Sequence, residues 1–286
     1  MNIISYCLFG TKKEFSKYGK FLPAVIIANR LAYPEFYQKF YISEELKESF
    51  YFNMLNDLSE SFDEILVTTR KEDISGTGRM LWRLLPWWDK NCEYLLCRDI
   101  DSIVTAIEIR AVRLFMKSNF KMHSIRSHKY HDTPLMGGLS SFYCPWVRKQ
   151  PWFTKNFKNF IVRSSKTLKE RKPWVEGADQ EALKRYLYFS CLQKKKNMLN
   201  TLDTPVQGAN KFFGIYRPSQ VNKNKYNKID LSYMDKYKNI FKISSRVHSF
   251  VASPFKTISR EDVNSILSID HPIAKKVKML VNANKG

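Results

Sequence analysis

Short apolar runs alternate with amphipathic segments over the first half of the chain. Ile3 to Phe9 is apolar, stops at Gly10 and reads as a strand closed by a tight turn. Phe21 to Arg30 reads as a helix, with Pro23 confined to the first turn, where a missing N–H costs no hydrogen bond. Phe36 to Ile42 is a second strand. Ser43-Glu44-Glu45-Leu46 opens a helix, with Ser43 as N-cap and acids in the first turn. Glu64 to Thr69 is a third strand, Met80 to Leu85 a short helix and Tyr94 to Arg98 a fourth strand. Ile103 to Met116 is helical, and Met122 to Ile125 is a further strand. Such alternation implies an α/β fold with a mostly parallel sheet covered on both faces, where ligands bind beyond the carboxyl ends of the strands. The later pattern is less regular. Gly177 to Leu192 reads as one helix, Val221 to Lys228 as an Asn/Lys-rich loop, and Pro272 to Asn282 as a basic terminal helix behind a short one capped at Ser259 to Asp262.

The fourth strand ends in Arg98-Asp99-Ile100-Asp101-Ser102. If the extended conformation persists, Asp99 and Asp101 point to the same side. Two carboxylates that close repel, and a divalent cation with oxygen ligands is the natural group between them. The alternative is a polar strand-to-helix turn, with Asp101 or Ser102 capping the helix that follows.

Composition changes this picture in two ways. The chain has 286 residues with 20 Phe, 15 Tyr and 6 Trp, enough for a full core. It holds no apolar run of membrane-spanning length, and Met1 to Tyr6 has neither a basic leader nor a cleavage site. Five scattered cysteines without a Cys-x-x-Cys argue against a zinc site or a disulfide framework and for a reducing cytoplasm. The charge is the second change. Lys+Arg 48 against Asp+Glu 27 gives +21, and it is segregated: residues 1–150 carry +4 and residues 151–286 carry +17. A surface so positive attracts a polyanion.

Several motifs follow in order. Gly76-Thr77-Gly78-Arg79-Met80-Leu81-Trp82-Arg83-Leu84-Leu85-Pro86 precedes the acidic strand. His128-Lys129-Tyr130-His131, Met136-Gly137-Gly138-Leu139 and Gly177-Ala178-Asp179-Gln180 come after it. Together they resemble the GT-A fold nucleotide-sugar glycosyltransferases, above all a phage, viral and bacterial branch with an Arg-Asp-x-Asp-Ser motif. The resemblance spans roughly residues 1–190. It implies a GT-A (Rossmann-like) core over residues 1–192, with a basic C-terminal region, residues 193–286, completing the acceptor site. It also implies Mn²⁺ or Mg²⁺ on Asp99 and Asp101, with His248 or Asp203 as third ligand. For the nucleotide sugar it implies Leu8, Phe9, Gly10 and Thr11 at the base. Arg70, Arg79 and Arg83 would lie near the diphosphate, Asp99 beside the donor, and Gly137 and Gly138 where backbone must approach closely. Arg98 braces the site, and Asp179 is the general base of an inverting enzyme, or a helix N-cap. His128 and His131 lie near the site in sequence.

The acceptor is read from the charge. Trp152, Phe153, Phe157 and Phe160 interleave with Lys155 and Lys158, and Tyr226 and Tyr237 with Lys228 and Lys238, a pattern suited to phosphates and bases. This resembles the T-even-like phage enzymes that glycosylate DNA. The expected activity is transfer of glucose or arabinose from a UDP-sugar to hydroxymethylcytosine, or to its glycosylated form, in double-stranded DNA, in the host cytoplasm. Two other readings stay open: a transferase building surface polysaccharide at an anionic membrane, and a non-catalytic nucleic-acid-binding protein with a degenerate transferase domain. The oligomeric state is not legible.

Overall fold

The computed structural model describes residues 1–71, 74, 76–125, 135–168, 178–188, 198–201, 230–237 and 260–284. Seven strands belong to one sheet: β1 (Asn2–Leu8), β2 (Phe36–Ser43), β3 (Ile65–Arg70), β4 (Tyr94–Cys97), β5 (Met122–Ile125), β6 (Ser140–Tyr143) and β7 (Met198–Thr201). The helices are α1 (Lys12–Gly19), α2 (Leu22–Ala32), α3 (Phe50–Ser61), α4 (Ala106–Met116), α5 (Cys144–Val147), α6 (Phe157–Leu168), α7 (Ala178–Leu183), α8 (Arg260–Leu267) and α9 (Pro272–Ala283). Parallel pairing joins β1 to β4, β2 to β3 and β5 to β7, whereas β6 runs antiparallel to both β4 and β5. The α/β class with a mostly parallel sheet is the observed one.

The chain divides into two units by its internal contacts. The first comprises Met1–Ser5, Glu72–Arg98 and Arg110–Ile229. In it the strands run in the order β1-β4-β6-β5-β7. Ile3 stands opposite Leu95, Ile4 opposite Leu96 and Ser5 opposite Cys97. Their near-continuous apolar character suits a strand buried on both faces. An aromatic core lies behind them. Trp87 meets Phe142 edge-on with ring centres 5.2 Å apart, and Trp152 and Phe160 at 5.8 and 6.0 Å.

The second unit comprises Tyr6–Lys71, Asp99–Ile109 and Asp230–Gly286, with strand order β3-β2-β1. Tyr6 on β1 stacks on Phe40 of β2 at 4.8 Å. Helix α2 is buried almost all round, as its Leu22-Pro23-Ala24-Val25-Ile26-Ile27 sequence requires. Helix α8 packs on α2, α9 packs on α3, and the Tyr233 hydroxyl donates to the Ala32 carbonyl at 2.7 Å.

Several local expectations are corrected. Ser43 opens only a single 3-10 turn, Glu44–Leu46. The α-helix starts at Phe50, where Ser49 Oγ accepts from Phe52 N at 3.2 Å. Gly76–Trp88 winds as 3-10 turns throughout, in place of the short helix expected over Met80 to Leu85. The helix expected over Gly177 to Leu192 is α7, which passes into a π-helical turn at Lys184–Tyr188. Three elements had no clear period in the sequence: α1, the antiparallel β6 and the short β7.

The basic-aromatic stretch is also reassigned. Trp152, Phe157 and Phe160 are 7%, 6% and 1% exposed, so they are core side chains and not stacking platforms. Phe157, Phe160, Ile161 and Ser164 recur at helical spacing on the inner face of α6. Tyr226, Lys228 and Lys238 lie outside the described residues.

Candidate functional site

In the second unit, the carboxylate pair stands just past the end of β4. The last sheet bond of this strand runs from Arg98 N to the Ser5 carbonyl at 3.1 Å, within the first unit. Asp99 then leaves the strand, and Ile100 and Asp101 form a turn. The extended-strand argument for one shared side therefore does not apply; any convergence of the pair is a property of the turn. Both side chains are half-buried. Neither Asp101 nor Ser102 caps the next helix. That task falls to Thr105, whose Oγ1 accepts from Glu108 N at 3.0 Å, and α4 begins at Ala106. Ser102 Oγ donates to Asp101 Oδ1 at 3.4 Å. With the cap supplied by Thr105, the two aspartates have no helix-starting role to explain them.

The same unit holds the expected base-binding edge. Leu8 closes β1 buried, Phe9 and Gly10 are half-buried, and Thr11 is exposed. Gly10 has φ 106°, a conformation that L side chains avoid, so the turn after β1 requires glycine here. Arg70 is the last residue of β3 and is half-buried.

In the first unit, three expected residues come together. Arg83 Nη1 lies 3.8 Å from Asp179 Oδ2, with both side chains almost fully buried (4% and 3% exposed). Asp179 also lies against Gly137: a Cβ on Gly137 would sit 2.7 Å from Asp179 Cγ and nearer still to Oδ2. Gly137 thus makes room for Asp179, a use of the missing side chain within the protein itself. Asp179 is the second residue of α7, one position inside the helix and not at its cap. Gly138 is buried beside it in the 3-10 turn Gly137–Leu139.

The arginines are not surface groups. Arg79 Nε donates to the Ile74 carbonyl at 3.3 Å and Arg83 Nε to the Met80 carbonyl at 3.1 Å, and both residues are buried. Arg98 is 3% exposed and donates through Nη1 to its neighbour's carbonyl, Cys97 O, at 2.7 Å.

Nothing in the local sequence points to His123. It is fully buried on β5, stacked on Phe115 at 5.4 Å. Burial, together with the positive charge of Arg98, pushes its pKa down to about 3. Only the fold brings residues 98 and 123 together, so no local signal could have found the pair. A histidine held neutral by the fold but charging near 6.5 when unfolded makes the unfolded chain bind the extra proton. Stability is therefore full above about pH 6.5 and is expected to fall by up to about 1.4 kcal/mol per pH unit below it, until about pH 3. Urea melts from pH 7 to pH 4 test this: His123→Gln should flatten the dependence, and an unchanged slope would remove His123 as its source.

His128, His131, Asp203 and His248 lie outside the described residues. Among the described residues, no three His, Cys, Asp or Glu side chains group as a metal site. No helix is long and apolar enough to cross a membrane, again among the described residues.

No family model and no curated protein matches the chain. Similar solved structures include the mannosyltransferase PcManGT from Pyrobaculum calidifontis in complex with GDP-Man and Mn²⁺. It is 10% identical, with 99% of this chain and 74% of that chain covered and a TM-score of 0.42. The galactosyltransferase LgtC, in complex with donor and acceptor sugar analogues, is 13% identical, with 99% and 96% covered and a TM-score of 0.41.

Proposed function

We propose that this protein is a metal-dependent glycosyltransferase of the GT-A kind, moving a sugar from a nucleotide-sugar donor to a nucleic-acid acceptor. The observation that carries the reading is the Asp99-Ile100-Asp101 turn. It stands immediately after a buried parallel strand, the place where open α/β sheets bind ligands, and Thr105 relieves it of any capping role.

Two half-buried carboxylates offer hard oxygen donors that fit Mg²⁺ or Mn²⁺. Asp99 and Asp101 would hold the ion, with His248 or Asp203 as the further ligand. When bound, such an ion neutralises charge developing on a departing diphosphate. Leu8 to Thr11 would form an edge for the base, and Arg70 would contribute positive charge toward the phosphates. Arg79 and Arg83, fixed by backbone carbonyls, supply stationary charge and not mobile arms. Asp179, paired with Arg83, is proposed to take the proton from the acceptor hydroxyl. The acceptor reading rests on the +17 carried by residues 151–286. Its specific form is transfer of glucose or arabinose from a UDP-sugar to hydroxymethylcytosine, or to its glycosylated form, in phage DNA.

The test is incubation with a panel of UDP-sugars, Mn²⁺ or Mg²⁺, and hydroxymethylated or glucosylated DNA, followed by mass spectrometry of the nucleosides. A new glycosylated nucleoside is expected, and Asp99→Asn is expected to slow its formation more than about hundredfold. Full turnover in EDTA would overturn the metal assignment. Transfer to a glycan but to no DNA would overturn the acceptor.

A further inference from the structure

We propose that the outer face of α6, with the turn leading into it, is a docking ridge for the phosphate backbone of a nucleic acid. The stretch from Thr133 to Lys169 contains no acidic residue. Within it, Lys149, Lys155, Lys158 and Arg163 are exposed, along with Asn159. Their helix is not a loose appendage. Its inner face buries Phe157 and Phe160 against Trp88, with ring centres 5.5 and 5.6 Å away, and Phe160 also meets Tyr186 at 5.2 Å. Arg163 is held in place by a bond from Nη1 to the Trp152 carbonyl at 3.2 Å and by the Tyr186 ring 5.6 Å beneath its guanidinium.

What marks this ridge is exposed positive charge in a stretch free of acidic residues. Some surface cations are paired, Lys12 with Glu48, Arg185 with Glu181 and Lys275 with Asp270. Lys149, Lys155 and Lys158 have no carboxylate partner among the described residues. Like charges gathered on a rigid face repel one another, and a polyanion relieves that repulsion. At about 1.5 Å per helical residue, Lys158 to Arg163 covers roughly 7.5 Å of α6. One nucleic-acid strand advances about 3.4 Å per phosphate, so the helical part of the ridge matches about two phosphates, with Lys155 in the turn before it. With Trp152, Phe157 and Phe160 buried, the contact is to backbone and carries no base sequence. A membrane surface fits less well, since Val162 is the only large apolar side chain exposed on this face among the described residues.

The inference rests on the nucleic-acid reading above and is tested apart from catalysis. The probe is a fluorescent oligonucleotide, single-stranded and duplex, titrated with the full chain between 50 and 200 mM NaCl. Lys155→Ala/Lys158→Ala is expected to reduce the slope of log affinity against log salt by about 2, so the affinity lost over that range shrinks by about tenfold. Lys13→Ala/Lys117→Ala, also exposed lysines, is expected to leave the slope unchanged. An unchanged slope in the α6 variant overturns the proposal, and so does an equal change in the control. Loss of binding to phosphatidylserine vesicles with oligonucleotide binding intact would overturn it in favour of a membrane. Asp99→Asn separates the two readings: it should stop transfer and leave the salt slope alone. A ridge effect in a protein that transfers no sugar would leave the docking site standing and the transferase reading fallen.

Discussion

Asp179→Ala is expected to lower the free energy of unfolding by about 3–5 kcal/mol, because it leaves the Arg83 guanidinium buried without its counter-charge. Bringing both charges out of water costs several kcal/mol each, and their mutual attraction offsets this only while both are present. Arg83 cannot swing to solvent: its side chain is 4% exposed, and Nε is fixed on the Met80 carbonyl at 3.1 Å. The pair joins the 3-10 segment Gly76–Trp88 to α7, so its loss loosens two elements at once. Removing both charges together, in Arg83→Met/Asp179→Leu, is expected to recover much of the loss. Gly137→Ala attacks the same contact from the other side. Its Cβ would fall 2.7 Å from Asp179 Cγ, inside any tolerable separation, and the short buried carboxylate has nowhere to turn. Urea unfolding of the three variants measures this. If Asp179→Ala costs under 1 kcal/mol, or the double variant is as unstable as the single one, the ion pair is not what holds α7. Asp179→Asn, which keeps the shape and removes the charge, should cost less stability than alanine while still removing the proposed proton acceptor. A comparison of its stability with its turnover separates the two roles.

Trp87→Ala is expected to cost about 3–5 kcal/mol, the usual range for deleting a buried tryptophan. Trp87 is 0% exposed, and its ring meets Trp88, Phe142, Trp152 and Phe160. Phe142 is on β6 and Phe160 on α6, so this one side chain links helix to sheet within the first unit. The cavity left by alanine could be filled only by moving one of those rings off the others. Trp87→Phe should retain most of the edge-on contact with Phe142 and cost clearly less. Chemical denaturation gives the magnitude, and hydrogen exchange of the α6 amides gives the location. A loss below about 1.5 kcal/mol, or unchanged protection in α6, would show that the cluster tolerates the cavity and that α6 is seated by other contacts.

Elements with a strong local signal were legible. β1, β2 and β3 are apolar runs with turn residues at their ends, and α2 is an apolar helix that accepts Pro23 only in its first turn. Where two signals competed, the sequence misled. Ser43 and Ser49 both stand before helix-forming residues, and the choice of Ser49 is made by which stretch can bury Met54, Leu55 and Leu58. Ser-Ser-Phe-Tyr is too short and too polar to declare β6; it is a strand because β4 and β5 leave it a place to pair. The aromatics of α6 were visible as residues but not as a face. Interleaved with lysines they resemble a stacking surface, and they are core because Trp87 and Trp88 lie where they can be covered.

The candidate site divides in the same way. The sequence by itself determined that two carboxylates follow a buried strand, that a glycine ends β1 and that the positive charge is concentrated after residue 150, since each is a property of neighbouring residues or of composition. Only the tertiary structure decided that Gly137 is small for the sake of Asp179 and that Arg83 pairs with that aspartate. It alone decided which cations remain outside, by turning the aromatic face of α6 inward and leaving Lys155 and Lys158 in water. The physical reason is range. Propensity and turn chemistry act over a few residues, whereas a buried charge finds its partner, and an aromatic ring its neighbours, only when segments nearly a hundred residues apart are packed together.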